Sequence, residues 1–182
     1  MISVYVIYFI IILISVLCYY YYLNIYEQSF LIKHNFLSTN DFKQLKVLLK
    51  EYKLLNDPRT NERKSICIMD KKITDLIYKY FRYAENPPSY PIEYRKYDTG
   101  SQGMHMHKDI DLFDNQNYYE AVLTLENTSD SRFLYNEKSV WLPPNTLVLV
   151  KPNTVVHGVS PVTKGHRTIL KFIICSKCSG IK

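Results

Sequence analysis

The pattern of the chain changes at Asn86-Pro-Pro-Ser-Tyr-Pro91, and that change constrains the fold more than any other feature. After it come eight short segments rich in Val, Ile, Thr and Tyr, separated by turn residues: 92–97, 104–111, 118–126, 132–135, 139–142, 146–150, 155–159 and 167–175. Segments of this length and make-up read as strands. Before it, Phe42, Leu45, Leu49 and Tyr52 lie on one face of a helix reaching to about Leu54, opened by Ser38-Thr-Asn-Asp41 as a capping box. Ile73, Leu76, Ile77, Tyr80 and Phe81 give a second amphipathic helix. Residues 29–37 read as an extended lead-in and 65–69 as a short strand. Two helices followed by about eight strands predict an α+β domain, with the helices packed on a double-sheet jelly roll.

Residues 2–26 carry no charge, and the run from Val4 to Leu23 is almost wholly apolar. About 20 such residues span a bilayer as a helix, and Tyr19 to Tyr22 suit the membrane–water interface. A cleaved signal peptide wants a basic N-terminal region and a small-residue cleavage site, and neither is present. The expected layout is a transmembrane anchor over 1–26, a helical N-terminal part over 27–90, a jelly-roll core over 91–176 and a tail over 177–182. Lys33, Lys43, Lys46 and Lys50 follow the apolar run, which favours the cytoplasmic over the lumenal side for the domain.

Composition narrows the class. Hydrophobic residues make up 47% and charged residues 22%, which is globular rather than disordered. The net charge of +6 reads as a mildly basic solvated surface. No Lys/Arg run is long enough for a nucleic-acid arm, so nucleic acid is the disfavoured partner. Four cysteines are too dispersed for a zinc site of four thiolates. Cys175 and Cys178 read as ordinary thiols, with a disulfide or redox pair as the other reading.

The chemistry gathers in the second half. His107 and Asp109 are two apart in a strand-like segment, and alternation points such residues to one face. With His157 they form a 2-His-1-carboxylate set, which holds Fe(II) and leaves open positions opposite the protein. Ten residues beyond His157, Arg167 offers a guanidinium able to grip a carboxylate with two parallel bonds. Thr124, in Val122-Leu-Thr-Leu, is a candidate for the same pocket. His105 competes with His107 as ligand, because it shares the strand face.

The stretch from Tyr97 through Gly100 to His107-Lys-Asp109 resembles the first half of the Fe(II)- and 2-oxoglutarate-dependent dioxygenases, in the small branch around the prolyl 4-hydroxylases. Pro144 to Arg167, with Val155-Val-His157-Gly-Val-Ser-Pro, is similar to their second half. The resemblance covers roughly residues 90–175. It implies His107, Asp109 and His157 as catalytic iron ligands, and Arg167 as the anchor of the distal carboxylate of 2-oxoglutarate. Tyr97 falls where such enzymes place a tyrosine facing that cosubstrate. The prolyl hydroxylases commonly carry Lys at the anchor position, so Arg167 points to a sibling branch.

The implied activity is hydroxylation of a polypeptide side chain or small molecule, with succinate and CO2 as co-products and ascorbate as an accessory reductant. Two other readings stand beside it. One is a membrane-tethered, non-catalytic jelly-roll scaffold. The other is a cupin-type metal protein using His105, His107 and His157.

Overall fold

A computed structural model of the chain describes residues 8, 10–15, 29–57, 62–81, 90–113 and 118–175. In order, the elements are β1 (Phe30–Lys33), α1 (Thr39–Leu49), β2 (Leu55–Asn56), β3 (Arg63–Ile68), α2 (Lys71–Tyr78), β4 (Ile92–Tyr97) and β5 (Met104–His107). They continue with β6 (Tyr118–Asn127), β7 (Phe133–Tyr135), β8 (Lys138–Val140), β9 (Thr146–Val150), β10 (His157–Val159) and β11 (Arg167–Cys175). The strands form two sheets. The larger runs β1-β9-β6-β11-β4-β3-β2, and the smaller runs β5-β10-β7-β8.

Alternation along β6 and β11 builds two faces from one sequence. Ala121, Leu123 and Leu125, with Leu170, Phe172 and Ile174, face outward onto the helices. There they meet Leu45 and Leu49 of α1 and Ile73, Leu76 and Ile77 of α2. The opposite face of the large sheet looks toward the small one. Between the sheets, Val148 and Val150 of β9 join Phe133, Leu142 and Val155 in a second apolar cluster.

The first helix starts at the capping box its sequence singles out, and the second at an aspartate the sequence reading did not name. The Ser38 side chain accepts from the backbone N–H of Asp41 at 3.2 Å, and its hydroxyl donates to the Asp41 carboxylate at 2.7 Å. Asp70 caps α2 by accepting from the Lys72 N–H at 2.7 Å. α1 stops at Leu49 rather than near Leu54. Leu55 and Asn56 are drawn into pairing with Ser65 and Lys64, which a continued helix would forbid. The stretch 27–90 thus contributes three strands of the large sheet in addition to its helices.

Most of the proposed anchor, like the tail beyond Cys175, lies outside the described residues. Tyr8 and residues 10–15 are helical, and Tyr8 and residues 10–14 are exposed apolar side chains. Among the described residues, no helix is long and apolar enough to cross a membrane. The reading of Cys175 as an ordinary thiol is corrected: it is disulfide-bonded, whereas Cys67 is free.

Candidate metal and cosubstrate site

The site is set between the sheets by the pairing of β10 with β5. His157 lies opposite His107 in register, and their rings stand 4.6 Å apart. Phe133 of β7 also stacks on the His157 ring, with centroids 5.6 Å apart. Each imidazole is fixed through Nδ1. His107 donates to the carbonyl of His105 at 2.8 Å, and His157 to the carbonyl of Val155 at 3.1 Å. A carbonyl only accepts, so both Nδ1 atoms carry hydrogen and both Nε2 lone pairs are free for a metal.

Asp109 completes the set. Its two oxygens stand 3.4 Å from Nε2 of His107 and 3.4 Å from Nε2 of His157. One ligand atom from each residue lies within 4.8 Å of the others. The expectation that strand alternation alone aligns His107 with Asp109 is corrected, because β5 ends at His107. Asp109 is held by a tertiary contact instead. The backbone N–H of Asn153 donates to its carbonyl at 2.9 Å, and the Asn153 amide bonds Asp111 at 2.6 Å. Asn153 sits at φ 58, a left-handed conformation that Asn tolerates.

One cavity holds Asp109 and His157 together with Arg167, Tyr97, Arg63 and Arg95. Arg167 opens β11 and is 5% exposed. Its guanidinium lies 5.1 Å from the centre of the Tyr97 ring, from the neighbouring strand. Among the described residues it has no carboxylate partner, and its Nε makes no hydrogen bond. Burial pushes its pKa down, and Tyr97 offsets part of that. The other cations of the cavity are paired: Arg63 with Asp57, Arg95 with Glu93 and Lys171 with Glu120. Burial pushes the Tyr97 phenol up, but Arg95, Arg167 and Arg63 together pull it below its ordinary value. The Arg167 end of the cavity therefore carries a buried positive charge with no carboxylate against it among the described residues.

No family model matches the sequence, and no curated protein does. Solved structures do match. The viral collagen prolyl hydroxylase vCPH of Paramecium bursaria Chlorella virus-1, in complex with 2-oxoglutarate, superimposes with a TM-score of 0.59 at 15% identity, over 82% of this chain and 97% of that one. HygX of Streptomyces hygroscopicus, with nickel and 2-oxoglutarate bound, gives 0.57 at 13% identity, over 81% and 82%. A prolyl-4-hydroxylase of Pseudomonas putida gives 0.56 at 15%, over 83% and 94%. The fold is that of the 2-oxoglutarate–Fe(II) oxygenases.

Within this oxygenase fold, the expected site residues separate by position. His107, Asp109 and His157 converge, and Arg167 and Tyr97 share the cavity lined by Asp109 and His157. His105 is exposed and is not part of the converging group; its role here is the carbonyl that holds His107. Thr124 is fully buried on the sheet face that bears Glu120 and Val122, but it does not line the cavity, and its hydroxyl has no partner among the described residues. Glu120 and Lys171, which do line it, escaped the sequence reading. Their signal was a charged residue at inward positions of two otherwise apolar strands.

Proposed function

We propose that the chain is an Fe(II)- and 2-oxoglutarate-dependent dioxygenase that hydroxylates a polypeptide side chain in the manner of the prolyl hydroxylases. The observation that carries this reading is the convergence of His107, Asp109 and His157 at a cavity that also holds a buried guanidinium with no carboxylate partner among the described residues. The donor set fits the metal: two neutral imidazole nitrogens and one carboxylate on a single side suit a non-haem iron with open positions. The orphaned guanidinium fits the distal carboxylate of the cosubstrate. The solved structures of like fold that carry 2-oxoglutarate, and the prolyl hydroxylase of Trichoplax adhaerens in complex with a hypoxia-inducible-factor peptide fragment, support the same assignment.

His107, Asp109 and His157 would hold the iron, and Arg167 with Tyr97 would orient 2-oxoglutarate. When bound, the pair supplies the oxidising power to insert one oxygen atom of dioxygen into a C–H bond while 2-oxoglutarate becomes succinate and CO2. The chain's own contribution is positioning and exclusion of water. The carbonyls of His105 and Val155 keep both imidazoles in the ligating tautomer. Phe133, Val148, Val150 and Val159 give the cavity an apolar wall.

The test is anaerobic addition of Fe(II) and 2-oxoglutarate to the full chain, followed by visible absorption. A metal-to-cosubstrate charge-transfer band is expected for the wild type and none for His107→Ala. No band in the wild type, or the same band in the variant, would overturn the assignment.

Residues 1–26 form a single-pass anchor in this proposal, supported by an uncharged run of bilayer length. The full chain is expected to stay with membranes through alkaline carbonate washing; release into the supernatant would refute the anchor. The lysines that follow the run favour the cytoplasmic side. Protease digestion of sealed vesicles reads that side directly.

A further inference from the structure

From the cavity's charge pattern we infer that Glu120 and Lys171 form a peptide-reading pair, which binds a main-chain amide of the substrate beside the residue that is oxidised. This rests on the dioxygenase reading and adds to it the residues that hold the main chain of the substrate. Both side chains point into the cavity that holds Asp109 and His157. The Lys171 ammonium meets the Glu120 carboxylate at 2.5 Å, with the two side chains 21% and 7% exposed. On the adjoining strand β4, Arg95 is bonded to Glu93, so each cation has its own carboxylate.

Position along the barrel separates this pair from the cosubstrate end. Lys171 is four residues past Arg167 on β11, about 13 Å along a strand. β6 begins at Tyr118, two residues from Glu120, and the Tyr118 hydroxyl accepts from the Leu112 N–H, in the loop that carries Asp109. The pair therefore stands toward the metal-bearing end, where Arg167 cannot reach.

The chemistry of the pair selects its ligand. A nearly buried ion pair gives weak stability compared with apolar residues of the same shape, so a fold alone has little use for one here. The pair is closed and neutral. A lone cation or a lone anion would meet a like charge beside its partner. A peptide group meets none, because it is uncharged and offers an N–H to the second oxygen of Glu120 and a C=O to a remaining N–H of Lys171. Donor and acceptor side by side match an amide.

The experiment uses the full chain and two probe sets: blocked, proline-containing decapeptides carrying a fluorophore, and the same amino acids free. Binding is read by fluorescence anisotropy on metal-free protein and by competition with the free amino acids. Peptide KM and 2-oxoglutarate KM are then measured on the iron-loaded chain. Blocked peptides are expected to bind and free amino acids not to compete. The apolar pair Glu120→Leu with Lys171→Leu is expected to weaken peptide binding and raise peptide KM at least tenfold, with 2-oxoglutarate KM held. The swapped pair Glu120→Lys with Lys171→Glu keeps the ion pair and guards against loss of folding. It is expected to lose peptide affinity too, since donor and acceptor exchange places. Unchanged peptide affinity in both double variants, or preferential binding of free amino acids, would overturn the inference. Failure of the wild type to give the absorption band with iron and 2-oxoglutarate would instead sink the dioxygenase reading, and the two failures are thus told apart.

Discussion

Arg167 shows how a single residue carries functional information. A buried guanidinium without a carboxylate partner is costly to fold, because desolvation acts on it and Tyr97 returns only part of the loss. Arg167→Met is therefore expected to leave the ligand-free chain as stable as the wild type or more so, by thermal melting. The same variant should bind 2-oxoglutarate more than tenfold more weakly, since hydrogen bonds to a charged group contribute about 1.5–3 kcal/mol each. It should also lose the rise in Tm that saturating 2-oxoglutarate gives the wild type, about 2.7 kcal/mol at a hundredfold excess over Kd. A variant that melts far below the wild type would show Arg167 to be a structural residue. Thr124 stands in contrast. Its place on an inward-facing strand was readable, but whether an inward side chain reaches the cavity depends on what packs in front of it.

At the scale of elements, the metal site depends on how closely β10 lies against β5. A Cβ added at Gly158 would sit 2.8 Å from the Met104 carbonyl oxygen, which is backbone and cannot swing aside. Gly158→Ala is expected to push the two strands apart at the residue beside His157. Fe(II) affinity should fall on the order of ten- to a hundredfold, the range seen when support around a ligand is lost. Titration of the absorption band with iron measures this, and an unchanged midpoint would mean that the strand spacing is immaterial. The helical layer makes a separate prediction about pH. Lys79, then Tyr80 and Ser38, bond the Asp41 carboxylate and lower its pKa to about 2. A carboxyl depressed on folding adds stability above its unfolded pKa of about 4 and loses it as pH falls toward 2. Asp41→Asn should remove that part of the acid dependence between about pH 4 and pH 2. Equal acid-unfolding profiles for the two proteins would count against the contacts around α1.

At the scale of the molecule, the division of the strands into two sheets was legible in part and for physical reasons. Ile92–Tyr97, Thr146–Val150 and Arg167–Cys175 occur with the bounds their sequences suggest, because β-branched residues and flanking turn residues act locally. The stretch 104–111 did not remain a strand to its end. β5 stops at His107, since the chain must leave the sheet there for Asp109 to be gripped by Asn153. β2, just past the expected end of the first helix, likewise forms only because β3 offers its edge. The core should respond as a packed interior. Phe172 is wholly buried between the large sheet and the helices, and Phe172→Ala is expected to cost about 3–5 kcal/mol in denaturant unfolding.

The amino-acid order by itself determined the start of α1, the alternating faces of β6 and β11, and a short set of candidate ligands in which His105 still competed with His107. Only the tertiary structure decided that Asp109 turns toward two imidazoles, that Arg167 is left without a counter-ion, and that Glu120 meets Lys171. Those relations rest on strand register and loop contacts between residues far apart in the chain, which no local pattern encodes.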